Sequence, residues 1–276
     1  MKRLKSLSGR RYLLTGASSG LGAEMALQLA RDHGVHVIAA ARRADRLDAL
    51  ASRVAETEGS ISCVSADVSI KEGRQAIESM CARDGLDGII LNAGVTALGR
   101  FEDYDMVRYR SMIEINIAAN LELIHALLRQ LEDRPNGADI FLVTSLAGVT
   151  PTPYQSVYSG TKAFLVNFGL SLRQELKHKN IFVTVLTPGG IRTEMTDIEG
   201  MKKLEGNLEP VDRVARNAIK ALKSRQGLVA PGGMAKLQAG LSRYLPRNVV
   251  AGVTGNAFKS SLDAADGKSG SKTPAS

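Results

Sequence analysis

The sequence predicts a parallel, doubly wound α/β sheet flanked by helices on both faces, in a single domain. Three observations carry that expectation. Short apolar runs alternate with helix-period segments along most of the 276 residues, the pattern of strand–helix–strand crossovers. Residues 35–41 (VHVIAAA) are apolar almost without a break, as befits a strand covered on both sides. Glycine-rich or polar motifs follow the ends of the strands, where open α/β sheets bind their ligands.

The first run, residues 11–15 (RYLLT), leads into Gly16-Ala17-Ser18-Ser19-Gly20-Leu21-Gly22 and then a helical pattern over 24–33. Strand, glycine loop and helix together make a phosphate cradle. Glycines let the backbone approach a pyrophosphate, and N–H groups at the helix start face the anion. The loop departs from GxGxxG in having three residues between its first two glycines. After the strand over 35–41, in which His36 is read as a packed or sheet-end residue, come Arg42 and Arg43. This place, about 20 residues past the loop, meets the adenosine ribose in a dinucleotide fold. Ala41 stands where an acid would bind a free 2′-hydroxyl. The arginines suit a 2′-phosphate instead, and hence NADP(H).

A helix is expected over 45–58 and a strand over 61–66, closed by Asp67 and Val68, the acid placed for an adenine edge. A helix over 72–82 and a strand over 86–91 lead to Asn92-Ala93-Gly94. Residues 106–131 form a long helical pattern containing Asn116; an interior amide there has poor propensity and often a bonding task. A strand over 139–144 delivers Ser145, and a loop with Pro151 and Pro153 precedes a helix from Tyr158 to about residue 178. A strand over 181–186 reaches Thr187-Pro188-Gly189-Gly190, followed by a helix over 211–222 and a last strand over 227–230.

Lys162 lies four residues after Tyr158, so on a helix the two share one face, one turn apart. The ammonium is expected to lower the phenol pKa from about 10, letting Tyr158 trade a proton with a substrate oxygen near neutral pH. The pair alone is common by chance. Its weight comes from sharing a sheet edge with the other motifs.

Composition sets limits. A hydrophobic content of 44% and a charged fraction of 23% are those of a globular protein. The formal charge of +8 favours anionic ligands, but 4% aromatics and no Trp offer no stacking platform for single strands; no nucleic-acid partner is expected. Cys63 and Cys81, without a CxxC or a nearby His pair, suggest neither a disulfide framework nor a metal site. No apolar run approaches the roughly 18 residues of a spanning helix, and the amino terminus lacks an apolar signal core. A cytoplasmic location is the expectation.

With these residues collected, the chain resembles the short-chain dehydrogenase/reductase family over roughly residues 8–225. The marks are Thr15 to Gly22 for TGxxxGxG, Asn92-Ala93-Gly94, Asn116, Ser145, Tyr158-x-x-x-Lys162, and Pro188-Gly189 with Thr193. Leu91 departs from the pattern, standing where the family usually has an additional Asn. The resemblance implies a Rossmann-like domain over 1–262 and an NADPH-dependent oxidoreductase that interconverts a ketone and a secondary alcohol. Tyr158 would be general acid/base, and Ser145 would hydrogen-bond the substrate oxygen. Lys162 would hold the nicotinamide ribose and lower the Tyr158 pKa, while Asn116 would bind a water linking Lys162 to solvent. The cofactor would lie on Gly16, Ser18, Ser19, Gly20, Leu21, Gly22, Arg42, Arg43, Asp67, Val68, Asn92, Ala93 and Gly94. Tyr158, Lys162, Pro188, Gly189, Ile191 and Thr193 would flank its nicotinamide end.

The family also places a substrate lid at 194–210, here with Met195 and Met201, and associates as dimers or tetramers through the helices starting near Met106 and Tyr158. Residues 232–262, including Lys236, Leu237, Leu241 and Arg243, read as a basic amphipathic extension broken near Pro246. It resembles extensions of members acting on lipophilic or acyl substrates. A lid, a subunit contact or contact with an anionic membrane surface are the expected roles. Residues 263–276 are expected to be a disordered tail. A rival function is a silent NADP(H)-binding sensor or scaffold, which would have no need for Asn116, Ser145, Tyr158 and Lys162 together.

Overall fold

A computed structural model describes residues 3–57, 59–132, 134–196, 208–232, 240 and 245–269. Seven strands, β1 (Arg11–Thr15), β2 (His36–Ala41), β3 (Ser60–Ser65), β4 (Gly88–Leu91), β5 (Ala138–Val143), β6 (Ile181–Leu186) and β7 (Leu228–Val229), form one sheet in the order β3-β2-β1-β4-β5-β6-β7. Every pairing is parallel. The order reverses between β1 and β4, which opens a crevice beyond their carboxyl ends.

Two-residue alternation along the strands divides the core between the two faces. Tyr12, Leu14, Val37, Ala39, Ile90 and Phe141 pack on one side with α1 (Gly20–His33), α2 (Ala44–Ala55) and α7 (Val211–Ser224). Leu13, Ile38, Ile89, Ile140 and Val183 pack on the other, beneath α3 (Lys71–Asp84), α5 (Ala119–Leu131) and α6 (Ser156–Glu175). Helix α1 starts four residues earlier than the sequence suggested, so Gly20 and Gly22 lie in its first turn. It stops at Gly34, whose left-handed backbone (φ 60°) turns its N–H back to Ala30 and Leu29, the usual glycine C-cap.

The long helical pattern over 106–131 is interrupted. Helix α4 (Met106–Ile113) passes into a π turn at Glu114–Ala118 before α5 begins. Met106–Leu131 is long and apolar enough, by length and composition, to cross a membrane. Its inner side, with Leu123, Ile124, Leu127 and Leu131, belongs to the core beneath the sheet.

At the carboxyl terminus α8 (Arg247–Ser269) packs on the loop before α6. Thr254 Oγ1 donates to Pro151 O at 2.9 Å, and Gly255 lies so close that a Cβ there would come within 3.2 Å of Pro153 Cγ. The helix runs past Asp263, where a disordered tail was expected to begin, because Asp263-Ala264-Ala265 contains no breaker. Of the expected basic extension over 232–262, Lys236, Leu237, Leu241 and Arg243 lie outside the described residues. So do 197–207 of the expected lid, Met201 included, and 270–276 of the tail.

Candidate active site

The crevice is built first by the ends of β1 and β4. Thr15 Oγ1 accepts from the N–H groups of Asn92 and Ala93, both at 3.1 Å. Asn92 Nδ2 donates to Thr15 O at 3.1 Å and to Gly16 O at 3.3 Å. Two glycines are required by this packing. Gly16 has φ 71°, and a Cβ on it would lie 2.9 Å from Asn92 Nδ2; one on Gly22 would lie 2.2 Å from Gly16 O. Ser19 occupies the N-cap of α1 without capping it, and the first turn holds no acid. The helix therefore presents an uncapped, positive end to the loop, the environment an anion favours.

Ser19 is engaged elsewhere. Arg43 donates to Ser19 Oγ (Nη2, 2.8 Å) and to Ser18 Oγ (Nη2, 3.1 Å; Nε, 3.2 Å), so the strand-end arginine and the glycine loop form one polar surface. Arg42 turns the other way, 3.8 Å from Asp67 Oδ2. Asp67 Oδ1 accepts from Ser69 N at 2.8 Å and Ser69 Oγ at 2.7 Å. Partial burial opposes its ionisation, but the Ser69 bonds and the Arg42 charge outweigh it and hold the carboxyl below its usual range. Val68 is buried in the core, and its carbonyl accepts from Arg74 at 2.7 Å. Leu21 is buried as well.

Asn116 lies in the π turn and is fully buried. Single π turns inside α-helices are rare and recur at functional sites. Its Oδ1 accepts from Val95 N at 2.9 Å, while Nδ2 donates to Val95 O and to Thr161 Oγ1, each at 3.0 Å. These side-chain bonds all reach protein groups and tie the loop after Asn92-Ala93-Gly94 to the first turns of α6. Gly94 fits between: a Cβ there would stand 3.2 Å from both Asn116 Oδ1 and Lys162 Nζ.

Ser145 follows β5 in extended backbone, its Oγ accepting from Ala147 N at 3.2 Å. The next residue joins the loop over 188–193 to this turn, Leu146 N donating to Pro188 O at 2.8 Å. Within that loop Gly189 is half-buried, and Ile191 bridges to Glu209 in parallel. Thr193 sets its methyl against the first turn of α1, 3.2 Å from where a Gly20 Cβ would be.

Tyr158 and Lys162 share one face of α6, with Nζ 5.7 Å from the phenol ring centroid. Lys162 is buried and donates to Val143 O at 3.2 Å; among the described residues no carboxylate pairs with it. The electrostatics differ from the expectation that Lys162 lowers the Tyr158 pKa. Burial raises the phenol above 10, only partly offset by the Ser145 hydroxyl, and burial lowers the Lys162 ammonium to about 8. Loss of hydration penalises the charged form of each group, and it is the largest cause of the shift in both.

Sequence reasoning passed over three residues of this crevice. Arg46 and Glu194 form an ion pair, and Glu194 also pairs with Arg43 at 3.2 Å. Thr161 anchors Asn116. The three-residue step from Arg43 to Arg46 on a helix was the available signal for Arg46; nothing local pointed to Glu194.

Comparison with known proteins agrees with this architecture. Residues 10–203 match the short chain dehydrogenase family. An oxidoreductase of Myxococcus xanthus is 36% identical over 197 residues, 70% of this chain and 76% of its own length. The ketoacyl reductase HetN of Nostoc sp. is 32% identical over 228 residues, 80% of this chain and 78% of its own. Among solved structures, the short-chain dehydrogenase from Sphingobium yanoikuyae in complex with NADPH superposes with a TM-score of 0.74 at 27% identity, covering 86% of this chain and 97% of that one. From its seven-stranded parallel sheet, its glycine loop and the match along residues 10–203, the chain belongs to the short-chain dehydrogenase family of NAD(P)(H)-using oxidoreductases acting on CH–OH and C=O groups.

Proposed function

We propose that the protein is an NADP(H)-dependent carbonyl reductase, or alcohol dehydrogenase in reverse, in which Tyr158 exchanges the proton at the substrate oxygen. The observation that carries this reading is the placement of Tyr158, Ser145 and Lys162 together at the carboxyl edge of the sheet, with Lys162 buried and lacking an ionic partner among the described residues. When bound, the nicotinamide supplies or accepts the hydride at the substrate carbon.

The chain fits such a cofactor. Its cradle admits no Cβ at Gly22, the start of α1 is uncapped, and Arg43 sits on the loop serines. Gly16 to Gly22 would hold the pyrophosphate, Arg43 and Arg42 the 2′-phosphate, and Asp67 and Val68 the adenine. Asn92 to Gly94, with Pro188 to Thr193, would flank the nicotinamide. Lys162 is a donor desolvated at the ribose end of the crevice, where two hydroxyls would satisfy it. Ser145 hydrogen-bonds the substrate oxygen and favours the developing alkoxide. With a bound ribose satisfying the Lys162 ammonium and favouring its charged form, the Tyr158 phenol becomes a better acid than in the free protein. Asn116 acts here as a positioning residue through Val95 and Thr161.

A lipophilic or acyl ketone is the proposed substrate class. An open cleft of about 670 Å³ between Phe101, Tyr154 and α8 is lined also by Glu102, Asn256 and Lys259 and by none of Ser145, Tyr158 and Lys162, so it is not itself the substrate site. The likeness to a ketoacyl reductase supports the acyl alternative. Exposed Met106, Val107, Ile113 and Phe164 on α4 and α6 support association of two copies through those helices.

The test is Tyr158→Phe. Turnover of a panel of apolar ketones, followed by NADPH absorbance, should fall at least ~10²-fold, while NADPH affinity measured by calorimetry stays nearly unchanged. A variant with full activity removes Tyr158 as the proton donor.

A further inference from the structure

Glu194 is the first residue past the loop over 188–193, and it lies on the arginines of α2 and its N-cap. Its Oε2 accepts from Arg43 Nη1 at 3.2 Å, and its Oε1 accepts from Arg46 Nη1. The remaining donors of Arg43 hold Ser18 and Ser19 of the glycine loop. One guanidinium thus spans from the phosphate cradle to a carboxylate. The neighbouring Thr193 methyl rests on the first turn of α1 at Gly20. An anion already sits on this basic corner, and it belongs to the protein.

We propose that Glu194 is an internal competitor for the 2′-phosphate of the cofactor, and that Arg46 joins Arg43 in the anion site it occupies. The inference rests on the reading of this cleft as an NADP(H) site. A nucleotide lacking the 2′-phosphate makes no claim on the two arginines and leaves Glu194 in place. A 2′-phosphorylated one must displace it. Displacement is feasible because the groups are largely solvated: the side chains of Arg43 and Arg46 are 41% exposed and that of Glu194 56%. Pairs this open change an equilibrium by no more than about fivefold, and a phosphate monoester brings nearly two negative charges against the single one of Glu194. Glu194 therefore lowers the affinity for the phosphorylated nucleotide without preventing its binding.

Calorimetric titration of the nucleotide-free protein with 2′,5′-ADP and with 5′-AMP tests this without turnover. Glu194→Gln should tighten 2′,5′-ADP about two- to fivefold and leave 5′-AMP unchanged, with the gain fading in about 0.5 M salt as the charges are screened. Arg46→Ala in the Glu194→Gln background should cancel the gain. A Glu194→Gln variant that shifts both ligands alike, or neither, overturns the proposal. The cofactor reading is judged separately by Arg43→Ala in the otherwise native chain. If that change weakens 2′,5′-ADP no more than 5′-AMP, the 2′-phosphate contact itself is lost, whatever Glu194 does.

Discussion

At the amino ends of the strands, Tyr12, Arg10, Asp139 and Arg225 are buried together; at the carboxyl ends, a buried Lys162 lies beside a half-buried Tyr158. The first group is satisfied mostly within itself, with Arg225 Nη1 its one buried donor lacking a hydrogen-bond partner among the described residues. Asp139 Oδ2 accepts from Tyr12 Oη at 2.7 Å and Arg10 Nη2 at 3.0 Å, and Oδ1 accepts from Arg225 Nε at 2.7 Å. Arg225 also lies 3.9 Å above the Phe182 ring, and carbonyls of Asn136 and Gly137 take further donors. Burial and the adjacent carboxylate drive the Tyr12 phenol well above its ordinary value. The second group is open: Lys162 has one carbonyl and no counter-ion among the described residues. The same fold therefore buries charge in two ways. A carboxylate shared by two arginines holds the β1, β5 and α7 ends together, whereas a lysine without a counter-ion among the described residues is available to a ligand.

That contrast can be broken by substitution. The largest effect is expected of Asp139→Asn, which leaves two buried guanidiniums without their carboxylate and should cost about 3–5 kcal/mol, read as a shift of the urea midpoint. A loss under about 1 kcal/mol would show that the network contributes little. Lys162→Met should act in the opposite direction, stabilising the nucleotide-free protein by about 1–3 kcal/mol at pH 7 while ending turnover.

The pH dependence of that gain has a definite sign. With the Lys162 pKa lowered to about 8, native and unfolded chains both carry the charge below pH 8, and the burial penalty is complete. Between about pH 8 and 10.5 the native state releases its proton while the unfolded state keeps it, so the native sequence gains stability relative to Lys162→Met as pH rises. Thermal melts of the two proteins at pH 7 and 9.5 would converge; a constant gap argues against a penalised lysine. The smallest effect is expected of Tyr12→Phe, about 1–2 kcal/mol for the donor lost to Asp139, with kcat unaltered. A drop in kcat there would mean that the two ends of the sheet are coupled.

Residues with strong local signatures were placed well by sequence. Strand periodicity and the glycine loop gave the sheet and its ligand edge, because both are set by near-neighbour sterics. The break at Asn116 was not legible, since an α-helix and an α-helix with one π turn share nearly the same apolar spacing. Asp139 reads as an ordinary first residue of a strand; only the approach of Arg10 and Arg225, 129 and 86 residues away, makes it a hub. Arg225 itself has a left-handed backbone (φ 54°) at the end of α7, which its side-chain type would not suggest.

By itself the sequence determined the order of strands and helices, the glycine loop between β1 and α1 and the one-turn spacing of Tyr158 and Lys162, because these depend on backbone periodicity and on where glycine stands. The tertiary structure alone decided the state of that pair. Burial pushes the phenol up and the ammonium down, and desolvation is a property of everything packed around a residue, which no local pattern carries.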